Sequence, residues 1–197
     1  MIAELYLAGV ISQDGVIGGD HARIVEHGRT KSYVLVDGSP QIQITQNDVR
    51  AIQLAKAALY AGVKLLMGYL EVDAVDEIRL AGAFGSHLDT KYAMLLGLIP
   101  DCDLDRVSAA GNAAGTGSMM ALLSGEARAE IEQVATEIEK IETATEPRFQ
   151  ELFVGAMGIP HATDQFPQLA GAVALPERQE PTGRPERRRR RSRGSEE

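Results

Sequence analysis

The sequence predicts an α/β fold, a mixed sheet with flanking helices, and three observations carry that prediction. Two short apolar runs, Ile78-Arg79-Leu80-Ala81 and Arg106-Val107-Ser108-Ala109-Ala110, each end in a glycine-rich turn. The turns are Gly82-Ala83-Phe84-Gly85 and Gly111-Asn112-Ala113-Ala114-Gly115-Thr116-Gly117, and a helical pattern follows each. Upstream, Tyr33-Val34-Leu35-Val36 and Gln41-Ile42-Gln43-Ile44 flank Asp37-Gly38-Ser39-Pro40, the pattern of two strands joined by a short hairpin loop. Strand, tight glycine turn and helix is how α/β proteins bring bare backbone N–H groups up to a ligand, often a phosphate or nucleotide. Two such units about 30 residues apart predict neighbouring parallel strands with both turns at one end of the sheet. Open α/β sheets bind ligands at that end.

In chain order, Ala3-Glu4-Leu5-Tyr6-Leu7 reads as the end of a helix stopped near Gly9, and Ser12-Gln13-Asp14-Gly15 as a turn. After the hairpin, Thr45 opens the longest helix, with Asp48 three residues on as a variant capping box. Val49, Ile52, Ala55, Leu59, Val63 and Leu66 recur at three- and four-residue steps and predict its core face. Gln53, Lys56, Tyr60 and Lys64 form a polar stripe, which periodicity alone reads as a solvated face. Between the glycine turns, Asp89 caps a helix over 91–96 that Gly97 and Pro100 end. Asp101, Asp103 and Asp105 alternate, but the glycine and terminal Glu of a calcium loop are missing, so no metal site is expected. The second turn leads to a helix over 116–123 and, after Ser124-Gly125, to a charged amphipathic helix over 126–140 with Ile131, Val134 and Ile138 inward. A short strand near Ile141 is expected, then a last helix from Glu146-Pro147 that buries Phe149, Leu152, Phe153 and Ala156. The pattern stops at Gly158-Ile159-Pro160. Residues 1–160 are read as the folded domain and 161–197, rich in Pro, Gly, Gln and Arg, as a disordered tail.

Composition bounds the function. A chain of 197 residues with 44% hydrophobic content makes one good-sized domain. Cys102 is its one cysteine, which excludes an intrachain disulfide, a four-cysteine zinc site and a four-cysteine iron–sulfur cluster. No apolar run reaches 18 residues and no basic-then-apolar leader opens the chain. Neither a membrane span nor a signal peptide is expected, and the expected location is cytoplasmic. From Glu177 to Glu197 eight Arg face five acidic residues, and of the net −8 this leaves about −11 on the remainder. An acidic body argues against nucleic-acid binding. The basic run 187–191 is read as part of a solvated tail.

The glycine turns match neither the G-x-G-x-x-G fingerprint nor a Walker loop. Spacing alone fits a phosphate-approaching turn and a purely packing role equally. His21, His27, His87 and His161 show no Ser or Cys partner pattern for nucleophilic catalysis, so no catalytic residue is assigned.

Four blocks in order add a resemblance: ITQNDVRAIQLAKAALYAGVKLL, IRLAGAFGSHLDTKYAMLLGLIPD, GNAAGTGSMMALLS and PRFQELFVGAM. Together they resemble the C-terminal region of the reductive activators of corrinoid proteins, ATP-dependent members of the actin-like ATPase superfamily. The resemblance covers about residues 1–160 and implies one lobe of an actin-like, ribonuclease H-like ATPase domain. Full family members join a ferredoxin domain to a two-lobed ATPase and couple ATP hydrolysis to reduction of cob(II)alamin on a partner protein. This sequence lacks the ferredoxin cysteines and the first-lobe phosphate loop that supplies the magnesium-coordinating Asp. It resembles the second lobe alone, as a truncated product or one half of a split protein.

The resemblance also implies site roles. Gly82, Ala83, Phe84 and Gly85 would approach the nucleoside of ATP or ADP, and Gly111, Asn112, Ala113 and Gly115 would line the same cleft. By position, Gln53 and Lys56 would contact adenosine. Magnesium ligands would come from the missing lobe, and the chain alone would not turn ATP over, because phosphoryl transfer needs positioned magnesium and charge stabilisation. The implied partners are a corrinoid protein of a methyltransferase system and a separate chain with the first lobe and ferredoxin domain; a lobe without its partner also exposes apolar hinge surface, which makes a second copy in a homodimer a further expected partner. The alternative reading is a non-enzymatic module that docks the corrinoid protein or the first-lobe chain.

Overall fold

The structure, a computed structural model, describes residues 1–83, 85 and 87–176. Phe84 and the tail from 177, with its arginine run, lie outside the described residues. Helix α1 (Ile2–Leu7) buries Ile2, Ala3, Leu5 and Tyr6 and stops at Gly9, whose φ of +71° suits glycine. An antiparallel meander follows: β1 (Ile24–His27), β2 (Thr30–Val36) and β3 (Ile42–Thr45). The hairpin around Asp37 is as expected. Strand β1 had no periodicity strong enough to announce it, since only Ile24 in it is even half-buried.

Helix α2 (Gln46–Tyr69) starts at a full capping box: Thr45 Oγ1 accepts from Asp48 N at 3.2 Å, and Thr45 N donates to Asp48 Oδ2 at 2.8 Å. Its buried face is not the expected one. Val49, Gln53, Lys56, Ala57, Tyr60, Ala61, Leu65 and Met67 are buried, whereas Ile52, Leu59 and Leu66 are exposed. Ala57 and Ala61 are fully enclosed, and α2 packs against α6 (Phe149–Gly155). Tertiary packing, which periodicity does not see, selects the face.

Strands β4 (Ile78–Ala81) and β5 (Val107–Gly111) pair in parallel, as expected. Helix α3 (Thr90–Leu95), capped by Asp89 through Tyr92 N, crosses between them and buries Ala93, Met94 and Leu95. One core joins both sheets: Ile44, Val49, Tyr60, Met94, Leu95 and Val107 belong to a single cluster. The strands fall into two sheets, one antiparallel and one parallel.

Helices α4 (Ala113–Leu123) and α5 (Gly125–Glu137) follow. The inward face expected of α5 is corrected: Ile131, Val134 and Ile138 are 44%, 49% and 70% exposed. The two helices pack on each other and bury no residue. No strand forms at Ile141, which is half-buried and lines a groove together with Leu59, Val63 and Leu66 of α2.

Order also extends past the expected boundary at 160. Gly158, Ile159, Pro160 and His161 are buried, and helix α7 (Pro167–Ala172) inserts Leu169 with no exposed surface. Asp101 caps α7, accepting from Gln168 N and Leu169 N at 3.0 Å each. The carboxylate that looked like part of a metal loop therefore ends a helix. No helix among the described residues is long and apolar enough to cross a membrane.

If 161–172 is part of the domain, Leu169→Ala lowers unfolding stability by about 2–4 kcal/mol, as for other fully buried Leu truncations. Urea denaturation followed by circular dichroism measures it, and an unchanged midpoint would mean the segment contributes no packing.

Candidate functional site

The parallel pairing of β4 and β5 runs Ile78 with Val107, Arg79 with Ser108 and Leu80 with Ala109, then slips so that Ala81 lies beside Gly111. This register brings both glycine turns to one end of the pair. Gly82 N donates to Gly111 O at 2.8 Å, tying the turns together. Gly82 and Gly111 have φ of +95° and +61°, and a Cβ built on either meets nothing within 4 Å. Here glycine is demanded by backbone conformation, and the space beyond each turn is open for a ligand to approach.

Gly85 and Gly115 serve packing. A Cβ on Gly85 would lie 2.5 Å from Leu80 O, and one on Gly115 2.6 Å from the Asn112 amide. Gly115 N donates to Asn112 Oδ1 at 2.9 Å, so Asn112 is the N-cap of α4. Helix geometry leaves the N–H groups of Ala113 and Ala114 without intrahelical acceptors, at the positive end of the α4 dipole. Open backbone at two linked turns beside a helix N-terminus suits an anionic or nucleotide ligand. Of the expected set, Gly82, Ala83, Gly111, Asn112 and Ala113 gather at this end. Gly85 and Gly115 support it from beneath.

Gln53 and Lys56 are not brought to the turns, which corrects their expected surface role. Gln53 is 1% exposed, and its Nε2 donates to Asp14 O at 3.1 Å and Met157 O at 2.7 Å. Lys56 is 1% exposed, and its ammonium donates to Gly158 O and, at 2.7 Å, to Pro160 O. Further along the stripe, Tyr60 donates to Asp164 Oδ2 at 2.9 Å and Lys64 pairs with the same carboxylate at 3.3 Å. Gln13 joins from the other side: its Nε2 donates to His161 O at 2.8 Å, and its carbonyl accepts from Ile159 N at 2.9 Å. His161 Nδ1 accepts from Asp164 N at 2.8 Å and Thr163 N at 3.2 Å, so its place is structural. The polar stripe of α2 is therefore a fastening for residues 157–164. The signal that marked it was Ala57 and Ala61 interleaved with the polar residues.

Burial pulls the Lys56 ammonium down from 10.5 to about 7. Burial and then the bond to Asp164 push the Tyr60 phenol above its usual range. Between about pH 7 and 10.5 the unfolded chain thus binds a proton at Lys56 that the folded chain has released. Stability is level below about 7 from this group and rises as pH increases through the window. The expected slope approaches ~1.4 kcal/mol per pH unit for one proton. Denaturation midpoints at pH 6.5, 7.5 and 8.5 check this, and the rise disappears in Lys56→Met.

Residues 1–170 match a family model described as the C-terminal domain of RACo, the ASKHA domain. The corrinoid activation enzyme RamQ of Eubacterium limosum is 43% identical over 115 residues, which are 57% of this chain and 19% of that protein. A solved structure of a reductive activator for corrinoid, iron-sulfur protein superposes at 34% identity with a TM-score of 0.68, over 81% of this chain and 27% of that one. The chain thus spans about a fifth of the curated relative and about a quarter of the solved structure. With the greater part of its length matched to that domain, the chain belongs to the family of the C-terminal ASKHA domain of the reductive activators of corrinoid proteins.

Proposed function

We propose that this chain is a nucleotide-binding lobe of an ATP-dependent activator of corrinoid proteins, receiving ATP or ADP at its two glycine turns. The observation that carries the reading is the linked pair Gly82 and Gly111, both at positive φ with open space where a Cβ would stand. A side chain at either would fill the room a ligand needs. Gly82, Ala83 and Gly111 would offer backbone to the nucleotide, and the α4 N-terminus at Ala113 would face its phosphates. Magnesium, when bound with the nucleotide, would neutralise phosphate charge, with its protein ligands expected from a complementary lobe. The relatives' names support a corrinoid protein as the partner served.

A second reading has its own observation. Met119, Met120, Leu122 and Leu123 on α4 are 62%, 52%, 77% and 79% exposed. Contiguous exposed apolar residues mark docking surfaces, which favours a non-enzymatic module that holds a first-lobe chain or the corrinoid protein.

Calorimetry with ATP and with ADP, with and without magnesium, separates the two. The first reading predicts saturable binding that weakens at least tenfold in Gly82→Val, with negligible steady-state phosphate release. Absence of binding, together with nucleotide-independent capture of a corrinoid protein, would overturn it in favour of the second.

A further inference from the structure

Lys56 does not reach the glycine turns, yet it touches the end of the helix that follows the first of them. Gly97 closes α3 at a φ of +71°, with its amide donating to Met94 O and Leu98 N donating to Ala93 O. A Cβ on Gly97 would lie 2.0 Å from Pro160 O and 3.0 Å from Lys56 Nζ. The end of α3, the Pro160 carbonyl and the ammonium therefore meet at one point. Helix α3 also packs against α7, and Asp101, four residues beyond Gly97, caps α7. Residues 158–172 thus grip the chain from α3 to Asp101 at two places.

The carbonyls of Gly158 and Pro160 both turn inward onto Lys56. Buried acceptors cost free energy unless a donor meets them, and a lysine end carries three N–H groups to do so. An apolar residue of similar length would leave both carbonyls unpaired, and the turn would move away from Gly97. Helix α3 begins at Thr90 with Asp89 as its cap, only a few residues after Gly85, which is itself wedged on Leu80 O. Gly85 is buried and lies close along the chain to the Asp89 cap, so a shift of α3 is carried to the first glycine turn through that short connection.

We propose that Lys56 is a positioning residue for the first glycine turn: by holding the Gly158 and Pro160 carbonyls against Gly97, it fixes α3 and, through α3, the backbone at Gly82, Ala83 and Gly85. The purpose of this coupling rests on the nucleotide-binding reading, but its geometry does not.

Hydrogen exchange on the full chain tests it without nucleotide. In Lys56→Ala, exchange of peptides covering 80–98 rises tenfold or more, while β1 to β3 keep their protection. Added propylammonium, which returns an ammonium to the vacated space, restores protection, and propanol does not. Tyr60→Phe, which loses only the bond to Asp164, leaves 80–98 unchanged. Loosening confined to 157–164, or rescue by propanol equal to that by propylammonium, overturns the proposal. Should Lys56→Ala fail to fold, Gly97→Ala decides: it keeps the ammonium but forces a methyl into the junction, and unaltered exchange over 80–98 in that variant overturns the proposal. Nucleotide affinity is expected to fall in parallel with lost protection. Failure of the wild-type chain to bind nucleotide would instead sink the proposed function and leave the exchange result to decide this inference.

Discussion

The ammonium of Lys56, enclosed on α2 and bonded to the Gly158 and Pro160 carbonyls, is the interaction on which the arrangement of this domain depends. A buried ammonium carries a desolvation cost of several kcal/mol. Hydrogen bonds to a charged group offset about 1.5–3 kcal/mol each. The lowered pKa shows that desolvation outweighs those bonds, so the lysine contributes less stability as a cation than once it is neutral. What it supplies is geometry. With Gln53 on Met157 and Asp14, and Tyr60 and Lys64 on Asp164, one face of a 24-residue helix ties the N-terminal turn and the C-terminal segment into a single unit.

The elements that were legible in the sequence are those fixed by local chemistry. The capping box at Thr45, the Asp89 cap, the hairpin around Asp37 and the two strand–glycine units all form where the residue types require them. The face of α2 was not legible, because the helix carries apolar residues on two sides. Periodicity groups Ile52, Leu59 and Leu66 together, but it does not say whether anything covers them. Tertiary packing, including that against α6, decided the matter, and the polar stripe turned inward, donating to backbone carbonyls far away in sequence and to the Asp164 carboxylate. The end of the domain was misplaced for a related reason. Composition after Gly158 resembles a tail, whereas Phe166 and Leu169 are two well-placed anchors whose partners lie about 65 residues and more upstream.

At the glycine turns, the parallel strand pair was legible in the sequence and the place of the α2 side chains was not. Gly82 and Gly111 lie together because parallel pairing with a register slip puts them there. Gly85 and Gly115 are needed for contacts beneath the turns, which spacing could not distinguish from a ligand role. The α4–α5 pair shows the opposite mismatch: its residues were patterned for a core that the described residues do not provide.

On the proposed reading, a nucleotide is received against the backbone of two linked glycine turns and the N–H groups that open α4. The most direct test is the amide spectrum of the isotopically labelled chain titrated with ADP. The account predicts shifts concentrated at Gly82, Ala83, Gly111, Asn112 and Ala113, with smaller changes along α3. Shifts confined to the outer face of α2 or to α5, with the glycine amides unmoved, would contradict it.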